Sequence, residues 1–286
     1  MDSLDPRRLH GGMTTTTLTT LVLGATGKTG RRVAERLRAL DVPVRPGSRA
    51  ADVPFDWDDR ATWAPVLDGA GAVYVTYQPD LAVPGAPEAV ADLARLAAEA
   101  GVRRLVLLSG RGEEEAQRAE QAVRAAFPDA TIVRASWFAQ NFSESFLVDA
   151  VRAGVVALPV GDVGEPFVDA DDIADVAVAA LTEPGHAGRL YEVTGPRLLT
   201  FAQALEEIGR AGGPSARLQT IPVEAFTAAL EQAVTPPEAA LVTYLFAEVL
   251  DGRNASVADG VQQALGRPPR DFADYARGAA AAGAWG

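Results

Sequence analysis

The run Gly24-Ala25-Thr26-Gly27-Lys28-Thr29-Gly30 constrains this chain more than any other feature, because of what flanks it. The apolar Leu21-Val22-Leu23 precedes it, and Arg31-Arg32-Val33-Ala34-Glu35-Arg36-Leu37, with helical spacing of its apolar residues, follows it. A strand that turns sharply into a helix needs glycine wherever a Cβ would block the turn or an approaching anion. The first amides of the helix then point at that anion. This is the arrangement that receives the pyrophosphate of a dinucleotide, and it makes Gly24, Thr26, Gly27, Lys28, Thr29 and Gly30 the expected cofactor-binding residues. A nucleoside-triphosphate loop ending in Gly27-Lys28-Thr29 would need a glycine where Val22 stands, so that reading is discarded.

The rest of the chain alternates short β-branched runs with amphipathic stretches. Strands are predicted over 21–23, 42–45, 72–77, 104–109, 131–135 and 190–194, with a short third strand at 54–56, and helices over 29–40, 86–100 and 116–126. The alternation predicts an α/β fold, a Rossmann-type doubly wound parallel sheet with right-handed crossovers. After residue 160, loops rich in Gly and Pro separate helices, which predicts a smaller, mainly helical C-terminal substrate lobe over 161–286. One strand near 190–194 returns from it to the sheet. Within the lobe, 226–230 and 241–250 either line a pocket over the sheet's C-terminal edge or pad the core. Residues 18–160 form the NADP-binding domain, and 1–17, with four consecutive threonines and a Gly-Gly pair, read as a disordered leader in which Met13 is an alternative start.

The choice of dinucleotide falls at the end of the second strand, where an acid would hold the ribose hydroxyls of NAD. Here the chain reads Val44-Arg45-Pro46-Gly47-Ser48-Arg49, with no acid before Asp52, so Arg45, Ser48 and Arg49 predict a 2′-phosphate site and NADP as cofactor. Composition narrows the remaining chemistry. A formal charge of -12 argues against nucleic acid and anionic membrane as partners, and 0 cysteines with 2 histidines argue against thiolate catalysis and a bound metal. No apolar run suits a signal peptide or a membrane span, so the expectation is a cytoplasmic monomer or homodimer acting on a small-molecule substrate.

Longer segments carry a family resemblance: Gly101-Val-Arg-Arg-Leu-Val-Leu-Leu-Ser109, Thr131-Ile-Val-Arg-Ala-Ser-Trp-Phe-Ala-Gln-Asn-Phe142 and Phe167-Val-Asp-Ala-Asp-Asp-Ile-Ala174. With the glycine turn, they resemble the NmrA-like group of atypical short-chain dehydrogenases/reductases. Phe55-Asp56-Trp57-Asp58-Asp59, Thr62-Trp63 and the tail Asp251-Gly-Arg-Asn254 and Gly266-Arg-Pro-Pro-Arg-Asp-Phe-Ala-Asp-Tyr275 are similar to a narrower branch, the bacterial relatives of the ergot-alkaloid reductases. The resemblance implies that Thr26 to Arg31 hold the pyrophosphate, Ser48 and Arg49 the 2′-phosphate, and Asp56 and Trp57 the adenine side. It places Thr76, Tyr77 and Ser109 beside the nicotinamide, and Trp137, Phe138 and Asn141 between nicotinamide and substrate. Tyr77, Ser109, Trp137 and Asn141 are therefore the candidate catalytic residues. Read without the resemblance, Trp137 and Phe138 are core, Asn141 is a helix cap, Asp169, Asp171 and Asp172 cap an apolar helix, and Glu113-Glu114-Glu115 is solvated helix surface.

One ordinary feature of such dehydrogenases is missing. Lys28 is the only lysine, and the residues four past Tyr74, Tyr77, Tyr191, Tyr244 and Tyr275 are Gln78, Leu81, Gly195, Glu248 and Ala279, so no Tyr-x-x-x-Lys pair exists. A ketone needs an acid or oxyanion donors as it is reduced, whereas a cationic iminium carbon accepts hydride without either. The loss fits the ergot-type resemblance and implies a reductase of specialised metabolism acting on an imine, iminium or carbonyl with no essential acid. It also fits a cofactor-binding regulator without catalysis, or a cyclase or isomerase on the same fold.

Overall fold

A computed structural model describes residues 19–286, so the leader at 1–17 lies outside the described residues. The first half runs β1 (Thr19–Leu23), α1 (Lys28–Ala39), β2 (Val44–Gly47), α2 (Trp63–Leu67), β3 (Ala70–Val75), α3 (Ala86–Glu99), β4 (Arg104–Gly110), α4 (Glu114–Ala126) and β5 (Thr131–Ala135). Then come α5 (Leu147–Arg152), β6 (Val155–Leu158), α6 (Ala170–Thr182), β7 (Leu190–Val193), α7 (Phe201–Arg210), β8 (Arg217–Thr220), α8 (Val223–Leu230), α9 (Pro236–Tyr244), α10 (Gly260–Leu265) and α11 (Phe272–Ala281). The main sheet is parallel in the order β2-β1-β3-β4-β5-β7. Strand order reverses between β1 and β3, and the crevice outside their C-terminal ends is where a doubly wound fold takes its ligand.

Strand alternation sorts the core into two layers. Leu21, Val73, Leu105 and Leu107 pack with Val90, Leu93 and Val123 from α3 and α4 on one face. Val22, Tyr74, Val106 and Val133 pack with Val33, Leu37, Ile173 and Ala177 from α1 and α6 on the other. Both faces are covered, so the strands read as near-continuous apolar runs.

Two strands shift by two residues and one expected strand is missing. The second strand is 44–47 rather than 42–45: β2 is an edge strand, where Pro46 loses no ladder hydrogen bond, so the Pro-Gly pair does not end it. The third strand of the sheet is 70–75 rather than 72–77, which releases Thr76 and Tyr77 at its C-terminal end. The strand expected at 54–56 is absent; only an isolated bridge joins Asp56 and Asp59. Its strand-like look comes from Phe55, buried against Trp57 and Trp63 in a loop.

A third apolar cluster forms the lobe. It begins at Ala139 and Phe142 and includes Val151, Val156 and Leu158, so a cut at 160 separates residues that pack together. β6 pairs with β8 in a separate two-stranded parallel sheet, and α6, β7 and α10 return to the main sheet. Ion pairs fasten the C-terminal segment to this frame. Asp172, fully buried on α6, accepts Arg267 Nη2 at 2.7 Å and the Arg270 amide at 2.6 Å, while Asp175 binds Arg36 of α1 at 2.6 Å. Asp169 caps α6, its side chain accepting from the Asp171 amide.

Candidate active site

At the turn between β1 and α1, two of the three glycines are required by the protein itself. Gly24 has φ +64°, and a Cβ on it would stand 2.5 Å from Thr76 Oγ1. A Cβ on Gly30 would stand 2.1 Å from the Gly24 carbonyl oxygen. Gly27 differs: it is the N-cap of α1, its nearest obstacle is the Gly24 carbonyl oxygen at 3.2 Å, and no side chain caps the helix. The bare side of that turn, with first-turn amides open toward it, fits a pyrophosphate. Thr29 is buried, so it offers its amide rather than its hydroxyl.

The far end of the crevice holds Ser48 and Arg49 just past β2, with Arg49 exposed. Arg45 is engaged elsewhere: its Nη1 donates to the carbonyls of Val66 at 2.7 Å and Asp68 at 2.6 Å, just before the N-terminal end of β3. Trp57 makes a fixed wall: Nε1 donates to the Thr76 carbonyl at 3.2 Å and the ring lies 4.7 Å from that of Tyr77. Asp56 turns its carboxylate to the Asp58 amide and its carbonyl to Trp63 Nε1.

All four candidate catalytic residues, Tyr77, Ser109, Trp137 and Asn141, line one open cavity of about 350 Å³ at the C-terminal edge of the sheet, together with Thr76, Lys28 and Phe138. Its outer wall comes from the lobe, where Val242, Leu245, Phe246 and Val249 belong to the predicted pocket segment 241–250. Phe226 lies behind, its ring 5.3 Å from Phe246. Trp137 is held edge-on to Phe246 at 4.8 Å, and its buried indole nitrogen has no acceptor. Burial pulls the Lys28 ammonium below the ordinary lysine range, opposed by Glu144 and aided by Arg31 and Arg32. Arg31 and Arg32 both bind Glu144, at 2.6 and 2.7 Å, which ties the cofactor turn to the lobe.

Ser109 is less free than its position suggests. Its buried Oγ donates to Glu120 Oε1 at 2.6 Å, and Arg134 Nε holds the same oxygen at 2.8 Å. A hydroxyl whose proton is engaged by an ion-paired carboxylate can accept from the cavity but has no proton to give.

Sequence reasoning missed the cavity's acids. Glu113, expected on solvated surface, is 8% exposed and lines the cavity with Asp80 and Glu165. Burial pushes Glu113 up to about 9, helped by the charge of Asp80. Burial also raises Asp80, and takes Glu165 to about 7 against the Trp137 amide that donates to it at 3.2 Å. The triple-glutamate run hid Glu113, because only its first member turns inward. The signal available in sequence was Gly110-Arg-Gly112 just before it: a Cβ on Gly110 would stand 2.0 Å from Glu113 Oε1, and one on Gly112 2.5 Å from the Asn254 amide.

A profile described as NAD(P)H-binding matches residues 24–184. The chain belongs to this NAD(P)H-binding family. It is 36% identical over 278 residues to the (4-alkanoyl-5-oxo-2,5-dihydrofuran-3-yl)methyl phosphate reductase of Streptomyces griseus, covering 89% of this chain and 95% of that one. It is 30% identical to agroclavine dehydrogenase of Claviceps fusiformis, covering 90% and 96%. In fold it matches an NADPH-dependent quinone oxidoreductase of Escherichia coli complexed with NADPH, with TM-score 0.74, 19% identity and coverage of 91% of this chain and 98% of that one. The protein is an NAD(P)H-dependent oxidoreductase that lacks the Tyr-x-x-x-Lys pair. Among the described residues no cluster of acids and histidines could hold a metal, and no helix is long and apolar enough to cross a membrane.

Proposed function

We propose that this protein is an NADPH-dependent reductase of a small, largely apolar molecule that carries one electrophilic double bond at its polar end. The observation that carries this reading is the open cavity, polar where it meets Tyr77, Ser109 and Trp137 and apolar along Leu245, Phe246 and Val249. A regulator that only senses the dinucleotide has no need of such a space beside it. The bound dinucleotide supplies hydride. The protein's part is to hold the acceptor carbon against it, through the aromatic wall of Trp137 and Phe246, and to exclude water. The names of two relatives support the reading: one is a reductase of an alkanoyl-substituted oxo-dihydrofuran carrying a methyl phosphate, the other a dehydrogenase named for agroclavine.

Preference for NADPH rests on exposed Arg49 beside Ser48, with no acid at the end of β2. Losing one charged hydrogen-bond partner costs about 1.5–3 kcal/mol, so Arg49→Ala should weaken NADPH by about ten- to a hundredfold and leave NADH nearly unchanged. Fluorescence titration with both dinucleotides checks this; equal losses would remove the 2′-phosphate role from Arg49.

A further inference from the structure

Asp80 and Glu113 have no part in the site as read so far. They come from different crossover loops, after β3 and after β4, and meet on the cavity wall. Glu113 Oε2 is buried and meets no donor. Two ionised carboxylates in contact repel, so such a pair is stable only with a proton on one of them, and that proton also satisfies the orphaned oxygen. Among the described residues no lysine or arginine pairs with Glu113, and the charges that act on it are those of Asp80 and Glu120. Asp80, Glu120 of α4 and Tyr244 at the end of α9 are acidic groups. Arg111 commits its guanidinium to the carbonyls of Asn254 and Ser256, at 3.0 and 2.6 Å, and lies 3.5 Å from Glu192. The contact with Gly110 wedges the carboxyl against the end of β4, directly after Ser109.

We infer that Glu113 is the general acid of this cavity, giving its proton to the substrate's carbonyl oxygen as hydride arrives at the electrophilic carbon. The inference rests on the reductase reading above. As the new C–H bond forms, the π electrons of the polarised double bond move to oxygen, either directly or through conjugation. The oxygen takes the proton from the Glu113 carboxyl, which lines the cavity, the O–H bond breaks, and a carboxylate remains that is reprotonated by water through the open mouth. The acid form persists to a pH of about 9, so it is present at neutrality. Ser109 cannot take this role, its proton being engaged by Glu120. The substrate class follows: a neutral ketone or conjugated carbonyl, whose developing negative charge needs a proton, rather than a preformed iminium, which does not.

The experiment uses the full chain and Glu113→Gln, which keeps the shape and hydrogen-bonding capacity of the protonated acid. Three probes are reduced with NADPH in single turnover: a cyclic ketone, a cyclic enone and an N-alkylated cyclic iminium. The variant should lose about 10²- to 10⁴-fold on the ketone or enone, stay within about tenfold on the iminium, and bind NADPH unchanged. Infrared spectroscopy of the protein without cofactor should show a protonated-carboxyl carbonyl band that titrates near pH 9 and is missing from the variant. Full carbonyl reduction by Glu113→Gln, or an unchanged band, overturns the assignment. If the wild type reduces none of the three, the reductase reading falls, and the infrared arm still decides whether Glu113 holds the proton.

Discussion

Glu113 and Glu120 stand seven residues apart, one just before α4 and one inside it, and they are buried almost equally, at 8% and 3% exposure. Their surroundings are opposite. Glu120 is gripped by Arg134, receives the Ser109 hydroxyl, and shares Arg134 with Glu192 at 2.8 Å. Arg134 is correspondingly held well above the ordinary range, mainly by its hydrogen bonds to Glu120. Glu113 pairs with no lysine or arginine among the described residues, faces Asp80, and makes no capping bond to the helix it precedes. The helix N-terminus favours the ionised form of Glu113, but by about 1 kcal/mol, which burial and a like charge exceed. Depth does not decide whether a buried carboxyl is charged; the partner does. One of the two braces the sheet, and the other keeps a proton that the cavity can use.

The largest effect that could break this contrast is on stability. Removing one member of a buried ion pair leaves the other uncompensated, which costs about 3–5 kcal/mol. Glu120→Ala should therefore lower the urea midpoint sharply, with Ser109 left without its acceptor and Arg134 left with Glu192 alone. Glu113→Gln, at the same depth, should stay within about 1 kcal/mol of wild type near neutral pH. Equal losses in the two variants would mean that both carboxyls are ionised braces.

A middle-sized effect is the pH dependence of that same stability. Burial holds Glu113 at about 9 in the folded chain, above the ordinary glutamate value of 4.5, so between these values the folded chain holds a proton that the unfolded chain has released. Its contribution is fully present below pH 4.5 and is lost as pH rises toward 9. Glu165 behaves the same way up to about 7. Wild type should therefore lose stability relative to Glu113→Gln from pH 5.5 to 8.5, by at most about 1.4 kcal/mol per pH unit. Urea midpoints of both proteins at several pH values check the slope; parallel curves would show that Glu113 titrates alike in the folded and unfolded chains.

How much of this was legible in sequence follows the same division. The glycine turn was readable because strand, turn and helix are contiguous, and each glycine answers to a local constraint such as the 2.1 Å approach of Gly30 to the Gly24 carbonyl. The engagement of Arg45 was not readable, because the carbonyls that capture it come from residues 66 and 68. Tyr77, Ser109, Trp137 and Asn141 reach one cavity, as the family resemblance implied. The acids did not show themselves because their chemistry is made by pairing across the fold. Asp80 meets Glu113 only once parallel strands set their loops side by side, and Ser109 meets Glu120 once α4 packs back on β4. The tail Gly266 to Tyr275 carried the family likeness, and its arginines serve mainly to clasp buried Asp172.

The smallest expected effect separates the two causes that keep Glu113 protonated. Burial is the larger and the charge of Asp80 the next, so Asp80→Asn removes only the second and leaves the cavity wall in place. The asparagine amide can also donate to Glu113, which favours the ionised form. The midpoint of the infrared carboxyl band should then fall from about 9 by on the order of one pH unit, remaining well above 4.5. The alkaline limb of carbonyl reduction should move with it, while the rate at lower pH, where Glu113 is protonated in both proteins, should change little. An unmoved midpoint would confine Asp80 to its loop, where its carboxylate accepts the Ala82 amide at 2.9 Å, and burial alone would hold the proton. A fall to 4.5 would mean the reverse: burial contributes nothing, and the like charge that distinguishes Glu113 from Glu120 is the whole of the difference.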